Sequence, residues 1–145
     1  MASYNSQAPD EGRWTTGFHD CCEDRNFCLK TCFCPWTTMG EIAEIVSGGA
    51  TTKQEACCRY SILPSGWRAM YAAKFRRQLR ETFKLPEEPH GDCLVHDCCC
   101  ICALTQEYRE LKNRGADPSL GWQGNVEKWS REGIKPPITT RMTRC

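Results

Sequence analysis

From Cys93 to Cys102 the chain reads CLVHDCCCIC, five cysteines and one histidine in ten residues. A second dense block, HDCCEDRNFCLKTCFCPW, covers residues 19 to 36. No other feature constrains the fold as tightly. Sulfur at this density is joined into disulfides, bound to a soft metal, or kept as reactive thiol, and each outcome dictates how the backbone around it is arranged. The apolar content of 40% counts 13 cysteines among 145 residues. Without them the ordinary hydrophobic core is thin, so crosslinking by metal or disulfide is expected to help hold it.

The patterning between the blocks is helical. Met39, Ile42, Ile45 and Val46 recur at helical spacing, with Thr37 or Thr38 as N-cap and Gly48-Gly49 as the stop. Pro35 ends any helix that precedes it. Thr52 and Glu55 form a capping-box pattern for a helix that ends before Pro64, and Ser65 can cap a longer one. The segment QEYRELKNRG predicts a strong helix closed by Gly115, and a short helix is expected around 125–131. The predicted architecture is mainly α: a small cysteine-rich helical domain with irregular loops, crosslinked by metal or disulfides. It divides into a disordered segment at 1–13, a cysteine-rich domain at 14–130 and a flexible tail at 131–145.

If the second block is one helix, Cys93, His96, Cys99 and Cys102 rise along one face at three-residue spacing. Three thiolates and an imidazole suit a tetrahedral zinc ion, and soft sulfur also favours cadmium. One helix cannot surround an ion, so the first block is the natural donor of further ligands, with Cys28, Cys32 and Cys34 foremost. Cys21, Cys22, Cys98 and Cys100 are additional candidates. The competing readings are disulfides between the blocks and inert buried cysteines. For Cys57 and Cys58, burial on a helix face is the simpler expectation.

The polar N-terminus carries no apolar signal core, and adjacent cysteines rarely bridge each other, so a reduced, cytosol-facing setting fits. Net charge is +1, which gives no reason to expect nucleic acid. No motif supplies an oxyanion hole, an orienting acid or a phosphate-binding loop, so the chain does not read as an enzyme. Each apolar window of spanning length is interrupted by charge or proline. Arg68, Lys74, Arg76, Arg77 and Arg80 make one side of the 65–83 helix cationic, suited either to an anionic membrane surface or to plain solvent.

The blocks WTTGFHDCCED, CLKTCFCPW, GEIAEIV and CLVH, followed by CALTQEYRELKNRGADPSLGW, resemble in order and wording the plant cadmium resistance and cell number regulator proteins, the cysteine-rich family named after placenta-specific gene 8. The resemblance runs from about Trp14 to Trp129. It implies a small plasma-membrane protein that self-associates and takes part in export or tolerance of zinc and cadmium. The alternative is a non-transporting regulator of cell number; a weaker one is a calcium-permeable channel component, for which Glu41 and Glu44 are candidate ligands, although a solvated helix face is their simpler reading. The family hallmark, a cysteine pair or Cys-Leu followed by Cys-Pro-Cys, maps onto Cys28, Leu29, Cys34 and Pro35, with Trp36 in place of the last cysteine.

Overall fold

The computed structural model describes residues 12–18, 20–88 and 90–138, without the side chains of residues 21 and 22. The candidates Cys21 and Cys22 and most of the segment expected to be disordered therefore lie outside what is described. Among the described residues there are seven α-helices, two short 3-10 turns and no strand. The helices are α1 (Arg25–Phe33), α2 (Pro35–Val46), α3 (Lys53–Ile62), α4 (Ser65–Phe83), α5 (Asp92–Cys98), α6 (Cys100–Asn113) and α7 (Gly121–Glu132). The mainly α expectation holds.

Most boundaries follow from local chemistry. Asp24 caps α1 by accepting from the Phe27 N–H at 3.0 Å. Pro35 stands at the first position of α2, so this helix starts before Thr37 and Thr38; a proline there loses no intrahelical bond and has its φ preset. Thr52 accepts from the Glu55 N–H at 3.2 Å and starts α3 as its pattern predicts. Gly115 and Gly133 take the positive φ angles that end α6 and α7.

Helix α2 is the centre of the core. Met39, Ile42, Ala43 and Ile45 are fully buried, and they pack with Tyr60, Phe75, Leu79, Leu104, Leu111 and Trp129 from the helices around them. The closest approach, between α2 and α3, depends on Gly40. A Cβ placed there would lie 2.7 Å from the Lys53 carbonyl oxygen, inside van der Waals contact. Helix α4 buries Ala69, Ala72, Ala73, Phe75, Arg76, Leu79 and Phe83, a stripe at helical spacing that includes a charged residue. Helix α6 buries Ala103 to Tyr108, Glu110 and Leu111, and touches α1, α2, α4 and α5.

The second cysteine block is not one helix. Cys99 has extended backbone, φ −147° and ψ 82°, and closes α5 while capping α6. Helix α5 turns Asp92, Val95 and His96 inward. The common ligand face expected across Cys93, His96, Cys99 and Cys102 is therefore broken at its third member.

Candidate functional site

The cysteines lie on the surface. Cysteine is among the most frequently buried residue types, yet none of the ten described cysteine side chains is fully enclosed. Cys32, Cys58, Cys93 and Cys98 are exposed, and Cys28, Cys34, Cys57, Cys99, Cys100 and Cys102 are half-buried. This corrects the expectation that Cys57 and Cys58 are packed away on a helix face. Burial still pushes the Cys57 thiol up from its ordinary value; the neighbouring Cys58 and Cys34 push it further, and Lys53 pulls it back.

The ligand set drawn from the sequence is only partly assembled. Cys99 and Cys102 are joined in a disulfide. That bridge lies inside the second block and does not tie it to the first. Cys93 points outward while His96, on the same short helix, has a side chain only 1% exposed, with Nε2 3.0 Å from Glu107 Oε2. His96 is thus committed to the interior, away from the thiols. Among the described residues, no three His, Cys, Asp or Glu side chains gather closely enough to hold a metal ion. The described donors do not form a resident structural zinc site of the four-ligand kind. Glu41 and Glu44 do not form a solvated face but are engaged within the fold. Glu41 takes Lys30 and Lys53 at 3.5 and 3.2 Å, and Glu44 accepts the backbone N–H groups of Lys53 and Trp122 at 3.0 and 2.7 Å.

A buried charge frame lies beneath the thiols, and the sequence reading missed it. Arg76 is completely buried and Asp92 is 1% exposed; their Nε and Oδ1 atoms are 3.4 Å apart. Arg80 closes on the same carboxylate, with Nη2 2.6 Å from Oδ2 and Nε 2.9 Å from Oδ1. Arg76 also donates to Gln106 Oε1 at 2.7 Å and to the Glu88 carbonyl at 3.1 Å, and its guanidinium lies 4.5 Å from the Trp14 ring centre. Burial lowers the Arg76 pKa, and Glu107 and Asp92 oppose that shift. The hydrogen bond from Arg80 to Asp92 raises the Arg80 pKa. Two of the five cations assigned to a membrane face are therefore turned inward. Arg68 is half-buried and donates to the Tyr60 carbonyl at 2.9 Å, and only Lys74 and Arg77 stand in solvent. The arginines point in because Asp92 lies opposite them on α5 and a paired buried charge needs its partner.

The frame extends along α6 to the N-terminal segment. Thr15 donates to Glu110 Oε2 through its N–H at 2.8 Å and its hydroxyl at 2.7 Å. Gln106 donates to the Thr16 carbonyl at 3.1 Å, and Arg114 binds Glu110 Oε1 at 2.6 Å. The QEYRELKNRG segment is thus an internal polar scaffold. Acidic residues at 107 and 110, set between buried apolar positions 104, 108 and 111, were the available signal.

Residues 14–110 match the model of the PLAC8 family. The chain is 49% identical over 136 residues to a protein named plant cadmium resistance 12 from Arabidopsis thaliana, covering 93% of this chain and 84% of that one. It is 43% identical to plant cadmium resistance 2 of the same plant, over 85% of this chain and 82% of the relative. It is 46% identical to cell number regulator 10 of Zea mays, over 79% and 74%. No solved structure matches it.

Proposed function

The chain belongs to the PLAC8 family, and from that premise we propose that it captures soft divalent metal ions, cadmium or zinc, through surface thiolates. The observation that carries this reading is the exposure of the cysteines. A fold that wanted sulfur for packing would bury it; here the thiols of Cys32, Cys58, Cys93 and Cys98 lie in reach of solvent, and those of Cys34, Cys57 and Cys100 lie partly so. The metal is cargo rather than a resident cofactor, which suits thiols that are not gathered into a closed four-ligand cage. Capture releases protons and weakens as pH falls and thiolates are reprotonated. The names of the cadmium resistance relatives point the same way.

The setting we infer is a membrane surface. Ile62, Trp67 and Met70 flank the α3–α4 turn with exposures of 78, 64 and 58%, with the exposed Lys74 one turn beyond Met70 and Arg59, paired with Glu55, one turn before Ile62. An apolar tip edged by positive charge suits an anionic bilayer. Among the described residues no helix is long and apolar enough to cross a membrane. Efflux would accordingly need several copies or residues outside the described ones.

The test is cadmium binding by the full chain, stripped of metal and fully reduced, read from sulfur-to-cadmium ultraviolet absorbance and elemental analysis. Stoichiometric cadmium that is lost in Cys58→Ser or Cys93→Ser variants supports capture, and failure of the wild-type chain to retain any sinks it. Flotation with anionic vesicles, lost in Trp67→Glu, tests the surface. A second reading, a regulator acting through protein contacts, is favoured by the relatives named as cell number regulators. It would gain if cadmium failed to bind and wild-type protein stayed off vesicles.

A further inference from the structure

We propose that Cys99 and Cys102 form a reversible dithiol–disulfide switch that exchanges with small disulfides of the glutathione class. The proposal does not rest on metal capture. The two residues are a Cys-x-x-Cys pair at the head of α6, with Cα atoms 5.4 Å apart, within the range that accepts a bridge without backbone movement. They also differ in environment. Cys99 is the N-cap of a 14-residue helix, and its sulfur accepts the Cys102 N–H at 3.4 Å. A thiolate there meets the positive end of the helix and a backbone donor, both of which stabilise the anion. Cys102 sits one turn inside, oriented to resolve whatever forms on Cys99. Both side chains are half-buried, so a small disulfide can reach the pair.

The chain around the pair favours exchange over a purely structural role. The bridge spans only two intervening residues, so it restricts the unfolded chain much less than one that closes a long loop. It also lies at a joint. Cys99 ends α5, which carries Asp92 and His96, and starts α6, which carries Gln106, Glu107 and Glu110. Closing the bridge fixes the direction in which α6 leaves this joint, and opening it frees the first turn.

The exchange balances as follows. The Cys99 thiolate attacks one sulfur of glutathione disulfide; that S–S bond breaks and one glutathione leaves as thiolate, taking a proton from solvent. Cys102 then loses its proton and attacks Cys99 Sγ. The Cys99–Cys102 bond forms and the second glutathione leaves. The protein dithiol gives up two electrons and the small disulfide takes them.

The test uses the full chain, metal-free in the presence of a chelator, equilibrated across graded ratios of reduced to oxidised glutathione, quenched in acid, alkylated and mapped by mass spectrometry. Labelling of Cys99 and Cys102 is expected to fall together as the buffer becomes oxidising and to return fully when reduced glutathione is restored. In Cys102→Ser a glutathione adduct should accumulate on Cys99, at least tenfold more than on Cys102 in Cys99→Ser. A bridge that persists in excess reduced glutathione, a pair that stays reduced throughout, or a Cys99 bridge to Cys98 or Cys100 overturns the proposal. The wild-type titration decides these outcomes even if a variant fails to fold.

Discussion

Changing Asp92 to alanine removes the one carboxylate that Arg76 and Arg80 share. Arg80 keeps 16% exposure and Glu87 at 4.0 Å, so it can turn outward. Arg76, with no exposed surface, has no such exit and is left with the equally buried Glu107, 3.9 Å away and off hydrogen-bond distance. Opposite unit charges 3.4 Å apart attract by about 5 kcal/mol at an effective dielectric of about 20. Removing one partner of a buried pair typically costs about 3–5 kcal/mol, because the other charge stays desolvated. Against a domain stability of about 5–15 kcal/mol, that is a large share. The expected result is a urea midpoint lowered with little change in slope, and a Tm lowered by roughly 10–20 °C, at about 3–5 °C per kcal/mol for a chain of this size. Adding salt should not restore the loss, since screening acts mainly on exposed charge. Combining Asp92→Ala with Arg76→Met should recover only part of it, because the guanidinium is gone but buried Glu107 loses its cation as well. The assay is equilibrium unfolding followed by circular dichroism. A cost below about 1 kcal/mol for Asp92→Ala, or no recovery in the double variant, would refute the view of Arg76 as a buried charge that depends on its partner.

Other consequences follow from single contacts. Gly40→Ala sets a methyl 2.7 Å from the Lys53 carbonyl oxygen and should force α2 and α3 apart, costing about 1–3 kcal/mol in the same unfolding assay. Burial, then Glu41 and Asp117, push the Tyr108 phenol up from 10.0 to about 12. A group whose folded pKa is raised stabilises the fold fully below its unfolded value, so this contribution should be present below pH 10 and disappear as pH rises towards 12. Phenolate absorbance measured alongside circular dichroism checks it, and ionisation of all four tyrosines near their ordinary value in folded protein would contradict it. Cys57, held up by burial and by the nearby thiols, should alkylate several-fold more slowly than exposed Cys58 at neutral pH, as read by peptide mapping.

The parts of the fold that were legible in the sequence are those set by neighbours along the chain. Thr52 and Glu55, Pro35, Gly115 and the 3.6-residue recurrence of Met39, Ile42 and Val46 each act within a turn or two, and each marks its helix correctly to within about two residues. The break at Cys99 was hidden because a run of adjacent cysteines fits a continuous helix as well as it fits two. Arg76, Arg80 and Glu107 were hidden for a different reason. A charge on a helix reads as solvated unless its partner is known, and Asp92 and His96 come from another element. The same limit applies to the ligand set: spacing placed His96 beside cysteines, while its side chain lies inside the fold, 3.0 Å from Glu107. The thiols' surface exposure was not legible either, since composition alone would send cysteine to the core.

The hydrogen bonds of the N-terminal segment also have a meaning in time. Thr15 and Thr16 are held by Glu110 and Gln106, which lie 95 and 90 residues later in the chain. Synthesis at about 5–20 residues per second puts roughly 5–20 s between the emergence of Trp14-Thr15-Thr16 and the arrival of their partners. During that interval the segment leaves the ribosome with an unburied tryptophan and without the carboxylate that later accepts from Thr15. The reverse also holds. When α6 appears, Glu110 finds its two donors already made, so this closure ties Thr15 and Thr16 to a helix synthesised some ninety residues later.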